Sequence, residues 1–332
     1  MARVKDAFLL CAGLGTRLAP LTADHPKPML PLFDAPLAWW AGQPVVDQGV
    51  ERLYFNTYQH ADAFRGLARW WDDAAVVVEE SREQVELGTG GGLRSFLDRA
   101  GGEGPYWIAN GDLLFGGDLG ALAEAHRTSG AVATLGLLAD GVEATVGWRP
   151  ADGGVVALPG RGGRAEAPAT SCEGTLAWVG YSGYAIVERE LIAAIDGPAP
   201  SCWIRAGLAR CLERGAPVQG VLLHGPWADL GTPARMWRGV SQALAGAEGW
   251  ASGPQRQRLM EGRVGAPGAW SWLSPQVPAD ARDQLGAWAH VGAESRLEAG
   301  AWVEEALLLG GGATLRGSLR RSVRYGAREV AW

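Results

Sequence analysis

Lysine is almost absent from this sequence: of 30 basic residues, only Lys5 and Lys27 are not arginine. Long apolar runs are missing too. None approaches the roughly 18 residues that a membrane-spanning helix needs, so no membrane partner is expected. Residues 8–12 (Phe-Leu-Leu-Cys-Ala) are too few for an export signal and run directly into glycine-rich sequence. Cysteine is sparse. Cys11, Cys172, Cys202 and Cys211 lack the paired spacing of a zinc site or a disulfide framework, and a reduced, cytoplasmic setting is expected. None of the five histidines (His25, His60, His126, His224, His290) stands in a metal-ligand spacing. Charge is low as well, at 20% of residues with a net −6, which gives no overall attraction to nucleic acid.

What is present is apolar surface, 47% of residues, enough for one large core and a smaller appendage in 332 residues. Short apolar runs at 7–11, 51–56, 74–79 and 106–110 read as buried strands. Helix-compatible spacing falls between them at 35–49 and 61–71. Alternation of this kind predicts an α/β fold, a Rossmann-like and mostly parallel sheet with helices on both faces, over residues 1–247. Ligands of such sheets bind beyond the carboxyl ends of the strands, so Gly13 and Asp112, each just past a strand, are expected to share a site. Residues 248–286 are rich in Gly, Pro, Ser and Trp and read as an irregular linker. In 287–332, Val291, Leu297, Val303, Leu309 and Leu315 recur every six residues. That period suits a short, partial parallel β-helix, docked on the main domain or on another subunit, where it would make a homo-oligomer.

The chemistry concentrates in two segments. Residues 12–22 read Ala-Gly-Leu-Gly-Thr-Arg-Leu-Ala-Pro-Leu-Thr, and 26–31 read Pro-Lys-Pro-Met-Leu-Pro. Glycines directly after a strand let backbone N–H groups approach phosphate oxygens. Arg17 adds a forked cation and Lys27 a point charge. A chain that otherwise uses arginine has set one lysine between two prolines. The pattern is neither a P-loop nor the dinucleotide fingerprint, since position 18 is Leu.

In these motifs, and in Glu86-Leu87-Gly88-Thr89-Gly90-Gly91-Gly92, Asn110-Gly111-Asp112, Tyr181-Ser182-Gly183-Tyr184 and Trp227-Ala228-Asp229-Leu230-Gly231-Thr232-Pro233, the sequence resembles the sugar-phosphate nucleotidyltransferases over about residues 5–245. The six-residue repeats look like the left-handed β-helix tail of many members. The resemblance implies attack of a sugar-1-phosphate on the α-phosphorus of a nucleoside triphosphate, with Mg2+ as cofactor. It implies that Arg17, Lys27 and Asp112 are catalytic, and that Ala12, Gly13, Gly15, Thr16, Arg17, Gln84, Gly88 and Gly90 bind the nucleotide. Gln84 reads equally well as a polar loop residue. Asn110, Gly147 and Gly183 would line the sugar pocket. Asp112 and Asp229 would hold the metal. One departure stands out: where members often carry Glu-Lys-Pro, residues 158–161 read Leu-Pro-Gly-Arg, so Arg161 is the candidate cation for the acceptor phosphate.

Mannose-1-phosphate with GTP is slightly preferred over N-acetylmuramate-1-phosphate with UTP, and a non-sugar acceptor stays open because of Arg161. A non-catalytic nucleotide-sugar sensor is the rival reading. Arg316, Arg320, Arg321, Arg324 and Arg328 read as a solvated face of the tail rather than a nucleic-acid surface. Eight of the 16 tryptophans follow residue 226 and read as packing of the tail.

Overall fold

In the computed structural model, which describes residues 3–140, 143–158, 176–197, 199–250 and 253–332, three of the four apolar runs form neighbouring buried strands, whereas the run at 74–79 gives way to an edge strand, Val77–Arg82, that is mostly exposed because only one side of it has a neighbour. Their order is Val77–Arg82, Arg52–Thr57, Asp6–Leu10 and Tyr106–Asn110, all parallel. The long strand Ala177–Val187 continues the sheet antiparallel to Tyr106–Asn110. Beyond it, Ala133–Leu138 pairs antiparallel and Val218–Leu222 parallel to that. The result is the expected mixed α/β sheet with a parallel centre. The helix Leu37–Val46 is buried along its whole length, which a sequence apolar at every position but Gln43 requires; the Gln43 amide donates to Asp47 Oδ1 at 2.7 Å.

The segment 61–71 departs from its helix-like spacing. It forms two 3-10 turns, Ala61–Phe64 and Leu67–Trp71, because Gly66 between them adopts φ 87°, a left-handed conformation that stops helix propagation. A separate two-stranded ribbon pairs Leu113–Phe115 with Trp227–Asp229, so Asp229 stands opposite Leu113. That ribbon joins two stretches more than one hundred residues apart in the chain and sits at the carboxyl edge of the sheet. Among the described residues no helix is long and apolar enough to cross a membrane.

The stretch 248–286 is more ordered than its composition predicts. It holds the helix Pro254–Glu261 and the strand Ser271–Leu273. That strand starts a parallel ladder that continues through His290–Val291, Leu307–Leu308 and Ser322–Tyr325. Two further parallel pairs, Arg296–Leu297 with Thr314–Leu315 and Trp302–Glu304 with Ser318–Arg320, complete a strand-rich tail. Val291, Val303 and Leu315 fill its interior, as the six-residue spacing predicts. The register slips once. Leu308, not Leu309, occupies the interior, and Leu309 faces the main domain. Arg316, Arg320 and Arg321 pair with Glu298, Glu304 and Glu305 of neighbouring segments of the tail.

The tail docks on the sheet domain of its own chain. Its outward residues Trp272, Leu307 and Val323 join the core around Phe33 and Trp40, and His290 packs against Phe33 beside them. The contact centres on a tight hairpin of the main domain in which Phe33 and Asp34 both have positive φ, 49° and 58°. Such a conformation is uphill for a bulky residue and persists only where surroundings fix it. Here they do. Phe33 N–H donates to His290 Nε2 at 3.0 Å, and Ala293 N–H donates to Asp34 Oδ1 at 2.6 Å. The Ser274 hydroxyl donates to the other Asp34 oxygen, and the Phe33 ring meets Trp40, Trp272 and His290 edge-on at 5.2–5.5 Å. Burial holds His290 at about 4, below its ordinary value, so it is neutral at physiological pH and free to accept.

Replacing Asp34 by Ala strands two donors at this junction. The expected outcome is a loss of about 1–3 kcal/mol, read as a lower urea midpoint. A midpoint equal to wild type would mean that the tail does not depend on this contact.

Candidate active site

Four parallel strands deliver their carboxyl ends to one place. The chain leaves Asp6–Leu10 as Cys11-Ala12-Gly13, leaves Tyr106–Asn110 as Gly111-Asp112, and contributes Asn56 and Glu83 from the ends of the other two. Gly15 turns the loop with φ 63°. A Cβ there would lie 3.0 Å from Lys27 Cβ and 3.2 Å from Thr22 Cγ2, so glycine lets the loop fold onto the Pro26-Lys27-Pro28 turn. Thr22 Oγ1 closes the loop by donating to the Gly15 carbonyl at 3.0 Å.

Lys27 is buried, its side chain 7% exposed, and its ammonium pairs with Asp112 Oδ2. A buried ammonium without a partner is destabilising by several kcal/mol, at about 3–5 for a broken pair, so Lys27 requires Asp112, whose own side chain is partly open to solvent. Cys11 lies beside them. Burial, reinforced by the Asp112 charge, raises its thiol well above the usual value, so it stays protonated at neutral pH and is no nucleophile.

A cavity of about 430 Å3 covers this platform, with Ala12, Gly13, Gly15, Thr16, Arg17 and Lys27 in its wall, joined by Gly88, Asn110 and Asp112. A second cavity of about 990 Å3 adjoins it and shares Arg17, Asn110 and Asp112. Gly183 and Asp229 line that larger space together with Thr145, Tyr181 and Arg238. Gly183 has φ 90°, and a Cβ there would sit 2.6 Å from Leu113 Cδ1. The Asp229 carboxylate accepts from Gly231 N–H at 2.7 Å and from Arg235 at 2.7 Å. Because Leu230 N–H donates to the Asp112 carbonyl at 3.2 Å, the two aspartates stand on adjacent backbone.

Three expected residues lie elsewhere. Gln84 is exposed and lines neither cavity; Glu86 takes that wall instead. Gly147 faces Ala157, whose Cβ would be 2.8 Å from a Cβ at 147, and lines neither cavity. Gly90 is buried inside the helix Gly88–Ala100, so most of this glycine run is not the loop its composition suggests. A Cβ at Gly90 would meet Ser201 Oγ at 2.5 Å, and one at Gly91 would meet the Ala199 carbonyl at 2.4 Å. These glycines let residues 199–203 lie against the helix start, where Gly90 N–H donates to the Ser201 carbonyl at 2.8 Å. Arg161 lies outside the described residues. Asp118 caps Gly120 N–H at 2.9 Å, as a turn residue would.

Sequence reasoning missed Asn56 and Glu83. Asn56 Oδ1 accepts from Cys11 N–H at 2.6 Å and Ala12 N–H at 3.2 Å, fixing where the glycine loop begins. Its amide donates to Glu83 Oε1 at 2.7 Å, while Glu83 Oε2 accepts from Leu87 N–H at 3.1 Å. Burial raises the Glu83 carboxyl. Gly92 leaves room for this network, since a Cβ there would be 2.9 Å from both Asn56 Nδ2 and Glu83 Oε1.

Comparison with known proteins follows this geometry. Residues 6–148 match the nucleotidyl transferase family. A mannose-1-phosphate guanylyltransferase of Mycobacterium tuberculosis is 30% identical over 246 residues, which is 73% of this chain and 65% of that relative. An N-acetylmuramate alpha-1-phosphate uridylyltransferase of Caulobacter vibrioides is 34% identical over 125 residues, 36% of this chain and 51% of that protein. The chain thus spans about half to two thirds of the length of these relatives. Among solved structures, the UTP-bound UGPase from Acinetobacter baumannii superposes with a TM-score of 0.56 at 19% identity, covering 74% of this chain and 94% of that one.

The packing of the glycine run has a test whose sign is decisive. Alanine is favoured over glycine inside a helix by about 1 kcal/mol, yet Gly91→Ala forces a methyl onto a backbone carbonyl. The expected net effect is destabilisation of about 1–3 kcal/mol, seen as a lower melting temperature. A stabilised Gly91→Ala protein would overturn this packing.

Proposed function

We propose that this chain, whose residues 6–148 match the nucleotidyl transferase family, is a sugar-phosphate nucleotidyltransferase that joins a nucleoside triphosphate to a sugar-1-phosphate and releases pyrophosphate. The observation that carries this reading is the shared wall. Arg17, Asn110 and Asp112 border both cavities, so two ligands seated in them would meet there.

A phosphate monoester is mostly dianionic at pH 7, its second pKa being about 6. Its oxygen therefore needs no general base to attack the α-phosphorus, which agrees with the protonated, buried Cys11. The work left to the protein is to align two anions that repel each other and to balance charge on the departing pyrophosphate. In our reading the glycine loop, with Ala12, Gly13, Gly15 and Thr16, holds the triphosphate in the smaller cavity, and Gly88 approaches its nucleoside. Arg17 is exposed and, among the described residues, makes no ion pair, so its guanidinium is available to the leaving group. Lys27 presents its ammonium at the reacting phosphates from beneath the loop. The sugar phosphate takes the larger cavity beside Asn110, Thr145 and Gly183.

Magnesium fits the donor set. It takes one or two carboxylates plus phosphate oxygens and water, and Asp112 and Asp229 are hard oxygen donors on adjacent backbone in one cavity. These two residues would hold the ion, which when bound supplies positive charge to the phosphates. A sensor that only binds a nucleotide sugar has no use for the leaving-group cations. We further read the tail ladders as coils of a left-handed β-helix. GTP and mannose-1-phosphate are our preferred pair, because the relative matched over 246 residues bears that name. UTP with N-acetylmuramate-1-phosphate is the alternative.

Pyrophosphate release measured across the five common triphosphates and a panel of sugar-1-phosphates tests the reading. Turnover with at least one pair is expected, and none with any pair would overturn it. In the active pair, Lys27→Ala should lower kcat about 100- to 1,000-fold while triphosphate affinity changes far less. Asp229→Asn should raise the magnesium concentration needed for half-maximal rate. Unaltered metal dependence would remove Asp229 from the metal site.

A further inference from the structure

The turn that bears Lys27 is gripped on both sides by the C-terminal tail. Three residues before the lysine, Asp24 accepts a bidentate ion pair from both terminal nitrogens of Arg328. At the next position, the His25 ring lies 4.8 Å from the Tyr325 ring. His25 passes this contact inward, since its Nε2 donates to the Met29 carbonyl at 3.0 Å across the lysine turn. After the lysine, the Phe33–Asp34 hairpin turn is held by His290, Ala293 and Ser274. Between the two grips runs Pro26-Lys27-Pro28, closed by Leu30 N–H to the Lys27 carbonyl at 3.0 Å.

We propose that the tail is a positioning element for Lys27, with Arg328 and Tyr325 setting the pose of the lysine turn from its leading edge and the His290 junction anchoring its trailing edge. The proposal rests on the catalytic reading of Lys27 given above and adds a role that the sheet domain alone does not supply. Neither Arg328 nor Tyr325 lines the two substrate cavities, so both act through the lysine. The two grips differ in kind. The hairpin turn is buried and built into the core, whereas Arg328 and Asp24 are 37% and 58% exposed. The Arg328 guanidinium keeps the Asp24 carboxyl below its usual range, so the pair is intact at neutral pH. Proline on either side leaves the lysine turn few backbone alternatives. A displacement imposed at Asp24–His25 is therefore carried to the ammonium instead of being absorbed in between. Misplacement of a reacting group by about 1 Å can cost about 100-fold in rate, so a modest slackening is enough to read.

The near-absence of lysine makes the test direct. Protein grown with 13C-labelled lysine carries two side-chain signals, one from exposed Lys5 and one from Lys27. Arg328→Ala should shift or broaden the Lys27 Cε–Hε signal and leave that of Lys5 in place. In the full-length enzyme with its active substrate pair, Arg328→Ala should lower kcat about tenfold, with the KM for triphosphate changed less than about twofold. Arg328→Lys should recover part of this loss. The exchanged pair Asp24→Arg with Arg328→Asp should recover both the signal and kcat. An unmoved Lys27 signal in Arg328→Ala would overturn the proposal, and so would a variant that loses thermal stability alone with kcat intact. The spectroscopic arm needs no turnover. If the substrate panel finds no active pair, the grip on Lys27 is still decided by the resonance.

Discussion

A buried ammonium constrains this molecule more than any other group. Lys27 can be buried only because Asp112 faces it, and Asp112 is there because Gly111 lets the chain turn tightly at the end of Tyr106–Asn110. A Cβ on Gly111 would lie 2.6 Å from Cys11 Sγ. The pair therefore ties the first strand's loop, the fourth strand's end and the proline-flanked turn into one object. The use of lysine fits that place. A compact point charge on a flexible stem can reach up from beneath a glycine loop, whereas the planar arginine fork needs flanking room. Gly15 and Thr22 complete the cover, and Asn56 fixes where the cover starts.

From that object the division of labour follows. One face of the Arg17–Asn110–Asp112 wall looks onto the glycine loop, and the other onto the larger cavity bounded by the Leu113–Phe115 and Trp227–Asp229 ribbon. Two anions that repel each other in water can be held at one partition when positive charge lies on both sides of it. The short ribbon matters for a physical reason. It delivers Asp229 beside Asp112 from a segment more than one hundred residues further along the chain, held to the sheet by the Trp227 indole N–H donating to the Ser182 carbonyl at 2.8 Å. The tail matters because its contacts flank the Lys27 turn at both ends, so a segment distant in sequence reaches the backbone on either side of the lysine.

Much of this was readable in the sequence. Apolar runs located three of the four parallel strands closely, because a strand buried on both faces has no polar alternation to disguise it; the edge strand Val77–Arg82 is mostly exposed and begins three residues after the start of its run. The order of the glycine, arginine, lysine and aspartate motifs located the residues around the two cavities. What stayed hidden depends on partners far along the chain. Glu83 carries no local signal in the sequence, and only the fold brings it to Asn56. The run at 88–92 has a loop's composition, yet residues 199–203 press against it and hold it helical. Leu309 fits the six-residue count, but the chain gives its interior position to Leu308 so that Leu309 can face the main domain. The 61–71 segment had helical spacing, and one left-handed glycine divided it.

The central claim is convergence: Arg17, Lys27, Asp112 and Asp229 gather around a single triphosphate. A crystal structure of the protein with a non-hydrolysable triphosphate and magnesium tests it most directly. Phosphate oxygens are expected within hydrogen-bonding distance of the glycine-loop amides, Arg17 and Lys27, with the ion between those oxygens and the two aspartates. A triphosphate bound elsewhere, or bound there with the four side chains turned away, would contradict it.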